Sequence, residues 1–196
     1  MRSCYEFLVT GYLLAKMYPM TNDYLPTNFI MNYFELYKLP ITLHPDPELV
    51  KKNFYALSRK YHPDFYTHLS EEEQADALEK SSMVNQAYRV LQHPDETIKY
   101  VLQLKGLQED EEKYQLSPDF LMEVMDLNEQ ALDVSDEADM ERLDKTIADF
   151  IKQIYTPVEP IILHYQDGIT TEKELLQVKE YYHRKKYLDR ILAGLK

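Results

Sequence analysis

The triplet His-Pro-Asp occurs twice, at His62-Pro63-Asp64 and at His93-Pro94-Asp95. Each sets one imidazole and one carboxylate on either side of a ring that fixes the backbone. Three kinds of chemistry could use such a pair. A metal site would need further ligands at convergent spacing, such as an HExxH pattern, and the sequence has none. A hydrolase could take the imidazole as its base, but no nucleophile, phosphate loop or oxyanion-forming motif accompanies either copy. The third use is recognition, with a rigid exposed turn held out to a partner. On the triplets alone, a plain helix stop is the simpler reading of each.

The elements before the two triplets differ. Ahead of the first, Val50, Phe54, Leu57 and Tyr61 recur at helical spacing and mark an inward face. Lys52, Tyr55 and Arg59 fall on another face, flanked by Lys51 and Lys60. Between Glu48 and Tyr61 there are four bases and one acid. Asp46 is a suitable N-cap and Pro47 a suitable first residue for this helix, which must end near Tyr61 or His62. The helix before the second triplet offers only Lys80 and Arg89 as bases. There we expect structural punctuation, with Asp95 capping the helix that follows.

The first triplet and its surroundings resemble a J domain, the module that stimulates ATP hydrolysis by DnaK-type chaperones. Lys51 to Asp64, KKNFYALSRKYHPD, is similar to its second helix and turn. Tyr33 to Leu39, YFELYKL, resembles the first helix, and Val84 to Leu91, VNQAYRVL, the third. The resemblance implies that His62, Pro63 and Asp64, with Lys51, Lys52, Tyr55, Arg59 and Lys60, dock on the partner ATPase. Such a turn performs no bond chemistry of its own.

Composition agrees with a helical protein. The chain has 196 residues, 44% of them apolar and 29% charged, with four glycines and no tryptophan. That favours helices over sheet. The net charge of −12 makes the surface a poor ligand for nucleic acid or anionic membrane. Thirteen acids against one lysine lie between Gly106 and Glu141, which accounts for −12 by itself. Composition leaves two readings of that run open, a solvated face or an acidic docking surface. Cys4 is the single cysteine, so no disulfide, zinc or iron–sulfur ligand set is expected. The apolar stretch from Tyr5 to Tyr18 is too short and interrupted to span a membrane and makes a poor signal peptide. We therefore expect a cytoplasmic location.

Along the chain, residues 1–30 match no pattern and are taken as an extension of unknown role. The J-like pattern begins just after Met31. A first helix is expected over Asn32 to Leu39, a third from about Glu71 to Gln92, and a fourth from about Glu96 to Lys105, stopped by Gly106. This gives a J domain over 31–106 and a polar, acidic linker over 107–118. Ser117-Pro118-Asp119 then opens a helix, as a cap, a first-turn proline and a first-turn acid. Further helices are expected from Glu137 to Tyr155, where Pro157 and Pro160 interrupt, and from about Thr171 to Leu195.

The helix after Ser117 carries the second signal. At about 100° per residue, Phe120, Val124, Leu127 and Ala131 form one narrow stripe. Leu121, Met122, Met125 and Leu132 widen the apolar arc beyond it, bordered by Asp126, Glu129 and Asp133. An apolar patch rimmed by acids fits a protein-binding surface. A helix buried on two sides would show the same periodicity, which leaves both readings open.

A J domain followed by a short acidic bundle resembles HscB, the co-chaperone family of iron–sulfur cluster biogenesis. Phe120-Leu121-Met122-Glu123 and Arg184 to Arg190, RKKYLDR, carry the resemblance in the second half. It implies that Leu121, Met122, Met125, Asp126, Glu129 and Asp133, with Tyr187 where an aromatic is expected, bind an IscU-type scaffold protein. Some eukaryotic relatives carry an N-terminal cysteine metal site, for which this chain lacks the ligands. Pro157 and Pro160 interrupt a helix that is usually continuous. The expectation is an all-α, L-shaped co-chaperone, with an N-terminal J domain and a C-terminal three-helix bundle over 119–196. It would act as a monomer, without cofactor or metal, on an HscA- or DnaK-type ATPase. The alternatives are a J-domain co-chaperone for a different client and a small hydrolase built on His62 and Asp64.

Overall fold

A computed structural model of the protein describes residues 31–109 and 113–194. The extension over 1–30, Cys4, and the acids at 110–112 lie outside the described residues. Every regular element among the described residues is helical, and all belong to one compact unit beginning at Tyr33.

The first helix, α1 (Tyr33–Leu36), is shorter than expected. Lys38, with φ of 52°, turns the chain out of the helix there. Helix α2 (Pro47–Lys60) starts as expected, with the Asp46 carboxylate accepting from the Glu48 N–H at 2.9 Å. It ends at Tyr61, one residue before the His62-Pro63 bond. A single 3-10 turn, Pro63–Phe65, follows. Helix α3 (Glu71–Leu91) opens with a reciprocal cap between Ser70 and Glu73, which satisfies two backbone donors.

Helices α2 and α3 hold each other through Phe54 and Tyr88, whose rings stack at 4.1 Å. Val50 and Val84 are buried in the same core. Helix α1 is fastened across them by the Tyr37 hydroxyl, which donates to the Val84 carbonyl at 2.8 Å. Asn53 donates back to the Tyr37 carbonyl at 2.9 Å. This core fixes α2 from beneath and leaves its basic face outward.

Helix α4 (Pro94–Leu104) begins two residues earlier than expected. The N-cap position falls to His93, which makes no side-chain cap bond, so Asp95 is not the cap. Proline at the first helical position accounts for the early start, since it needs no N–H partner there. Gly106, with φ of 68°, ends the segment in the left-handed conformation that glycine tolerates.

The second half contains α5 (Pro118–Leu132), α6 (Glu137–Tyr155), the short α7 (Glu159–Leu163) and α8 (Glu172–Gly194). Ser117 caps α5 and Asp136 caps α6. Pro157 falls between α6 and α7 and Pro160 in the first turn of α7, so the helix is interrupted there as expected.

The apolar core divides at a different place from the polar segment over 107–118. One cluster joins Phe34, Val50, Val84, Val101 and Leu102 to Val158, Ile162, Leu175, Val178 and Tyr182. The core of the J domain expected over residues 31–106 is therefore completed by α7 and the first part of α8. The other cluster contains Phe120, Val124, Leu127, Leu143, Ile147 and Leu188, so α5, α6 and the end of α8 form the expected three-helix packing. The expected linker is also pinned. Lys179 on α8 donates to the Leu107 carbonyl at 2.6 Å, and His183 lies 2.8 Å from the Gln108 side chain.

Candidate functional site

The first triplet is exposed and internally braced. The Asp64 N–H donates to His62 Nδ1 at 3.3 Å, while the two side chains approach to 3.6 Å. An Nδ1 that accepts leaves Nε2 as the donor nitrogen of the neutral ring. The turn is closed from behind by the Tyr66 hydroxyl, which donates to the Lys60 carbonyl at 3.0 Å. Thr67 adds a bond to the Asp64 carbonyl at 3.3 Å. The arrangement holds a donor and an acceptor outward on a stiff base.

Lys51, Lys52, Tyr55, Arg59 and Lys60 are all exposed on α2, next to the turn. Arg59, Tyr55 and Ser58 line an open concavity of about 460 Å³ with His62, Asp64 and Phe65. Ser58 and Phe65 did not emerge from the sequence. Phe65 is a large apolar residue directly after the triplet, and that position was the available signal.

The second triplet is used differently. Asp95 Oδ2 accepts from Lys185 Nζ at 2.5 Å, and Lys185 also reaches Asp189 at 2.8 Å. Burial would lower the Lys185 pKa, but the hydrogen bonds to Asp189 and Asp95 outweigh it and hold the amine above its ordinary value. Burial, with the Asp95 charge nearby, pushes the Tyr181 phenol up to about 12. The carboxylate of the second copy thus joins α4 to α8, where the expectation was a cap on α4.

On α5 the two readings of the wide apolar arc separate. Phe120, Val124 and Leu127 are buried. Leu121 is exposed, and Met122, Met125 and Leu132 are 67%, 62% and 85% exposed. Asp126, Glu129 and Asp133 are exposed beside them. Tyr187 on α8 is half-buried, its ring edge-on to Phe120 at 6.3 Å and covered by Arg190 at 5.2 Å. Leu121, Met122 and Met125 therefore do not serve the core.

Among the described residues, no group of three or more His, Cys, Asp and Glu is placed to hold a metal ion. No helix among them is long and apolar enough to cross a membrane.

Comparisons with known proteins cover both halves. Residues 33–100 match the DnaJ domain model, and residues 116–196 match that of the HSCB C-terminal oligomerisation domain. The chain is 34% identical over 134 residues to the co-chaperone protein HscB homolog of Vibrio campbellii, covering 66% of this chain and 78% of that protein. It is 33% identical over 147 residues to the homolog of Vibrio parahaemolyticus, covering 72% and 84%. Among solved structures, chaperone HscB from Vibrio cholerae superposes with a TM-score of 0.61 at 26% identity, over 85% of this chain and all (100%) of that one. Human co-chaperone protein HscB superposes with a TM-score of 0.73, over 90% of this chain and 92% of that one, at 22% identity. The latter likeness speaks to the fold alone.

Proposed function

The chain belongs to the HscB family of J-domain co-chaperones, and on that premise we propose how its two exposed faces divide the work. The turn at His62-Pro63-Asp64, with Lys51, Lys52, Tyr55, Arg59 and Lys60, docks on an HscA- or DnaK-type heat-shock ATPase and stimulates its hydrolysis of ATP. The face of Leu121, Met122, Met125, Asp126, Glu129 and Asp133, with Tyr187, binds an IscU-type iron–sulfur scaffold and brings it to that ATPase. The J-domain work falls to residues 31–106 and the scaffold work to 119–196.

The observation that carries this reading is the exposed, braced His62-Pro63-Asp64 turn beside a basic helical face. A basic face steers encounter with an acidic partner surface and raises the association rate. The turn then adds a directional donor and acceptor. Catalysis stays with the ATPase, and the co-chaperone contributes only differential binding to its hydrolysing state.

The test is single-turnover ATP hydrolysis by the ATPase, with and without scaffold. His62→Gln removes the imidazole from an exposed position and should abolish stimulation while circular dichroism and the melting temperature stay as in the wild type. A folded His62→Gln protein that stimulates normally would overturn the assignment.

A further inference from the structure

We propose that Phe65 is an apolar anchor of the ATPase-docking site, seating against an aliphatic pocket on the partner. The proposal rests on the ATPase reading of the turn and deepens it.

The fold itself gives no use for the Phe65 ring. The turn is closed by backbone, with the Phe65 N–H donating to the His62 carbonyl at 3.1 Å and the Tyr66 N–H to the Pro63 carbonyl at 2.9 Å. Any residue but proline could make those bonds. The ring is 59% exposed and belongs to neither apolar cluster. Its aromatic neighbour is the His62 ring, edge-on at 5.9 Å.

Tyr55, 60% exposed, lines the same concavity. Arg59, His62 and Asp64 line it with the two rings. A partner surface complementary to this site has aliphatic side chains for the two rings. It has an acid opposite Arg59 and a base opposite Asp64. Buried aromatic anchors ringed by polar contacts are the usual centres of binding energy.

The occupant is the ATPase because the site is continuous with the His62–Asp64 turn and the basic face of α2. A second copy of this chain fits poorly. A two-fold contact would set the basic face of Lys51, Lys52, Arg59 and Lys60 against a second basic face, and like charges across an interface are unfavourable. The scaffold has its own exposed apolar face on α5, which belongs with the other core cluster.

The experiment titrates wild-type protein, Phe65→Ala, Phe65→Leu and His62→Gln against the ATPase and measures hydrolysis. Phe65→Ala should raise the half-maximal concentration on the order of tenfold, as truncating a central anchor does. Its stimulation at saturation should stay within about twofold of wild type, because the polar turn is intact. Phe65→Leu should recover most of the affinity. The melting temperature should not move, which sets this apart from a structural role. Raising the salt concentration should leave the Phe65→Ala defect in place, since apolar contact is not screened. A Phe65→Ala half-maximal concentration within about twofold of wild type, with His62→Gln inactive, overturns the anchor and leaves the docking reading standing. Full stimulation by His62→Gln overturns the docking reading itself.

Discussion

Lys185 Nζ sits 2.5 Å from Asp95 Oδ2, so the carboxylate of the second His-Pro-Asp triplet is tied to the last helix. The same amine reaches Asp189 at 2.8 Å, one turn further along α8. One cation thus bridges α4 to α8 beside Tyr181, at the place where the first core cluster is completed.

Replacing Lys185 with methionine should destabilise the protein by about 1–2 kcal/mol, a figure kept low because both carboxylates are partly in water. The folded state holds the Lys185 pKa above its ordinary value. The stabilisation is therefore fully present below the unfolded lysine pKa and is lost as pH rises through the folded one. Urea unfolding of the two proteins should show a constant difference at neutral pH that narrows above about pH 10. A difference that widens there would contradict the bridge.

His93 occupies an N-cap without supplying a cap bond, which leaves an opportunity. His93→Asn should stabilise the protein by roughly 0.5–1 kcal/mol, by accepting a backbone N–H of the first turn of α4. ATPase stimulation should not change, in contrast to His62→Gln. Chemical denaturation and the hydrolysis assay together check both parts, and a His93 variant that lost stimulation would reverse the roles assigned to the triplets.

A fragment of residues 31–106 should retain stimulating activity but unfold at lower urea than the full chain. Val101 and Leu102 are fully buried in a cluster whose other side is Val158, Ile162 and Val178. Cutting after Gly106 returns that apolar surface to water, at about 25 cal/mol for each Å² exposed. Dye binding to the fragment and its urea midpoint measure the effect. Equal midpoints would mean that α7 and α8 contribute nothing to the first core.

Leu121, Met122 and Met125 together changed to alanine should cost less than about 1 kcal/mol of stability, because substitutions on an exposed helical face usually cost little. Scaffold binding by calorimetry should weaken by at least about tenfold, the loss expected when interface anchors are truncated. Stimulation of the ATPase without scaffold should stay unchanged. A folded triple variant that binds scaffold normally would place the client elsewhere.

The amino-acid sequence determined the helices with local causes. Asp46-Pro47, Ser70 with Glu73, and Ser117-Pro118 each set a helix start, because caps act on the nearest backbone donors. It also separated the two triplets, since the bases that precede only one of them lie within a few turns of it. Other features were decided by the tertiary structure. Whether Leu121, Met122 and Met125 were core or surface depended on how much of the arc α6 and α8 cover, which no period along α5 encodes. Asp95 looked like a cap because its partner, Lys185, is 90 residues away. The first core closes with Val158, Ile162 and Val178 for the same reason. Burial and long-range charge pairing depend on which distant segments meet, whereas caps and turns are settled by neighbours in the chain.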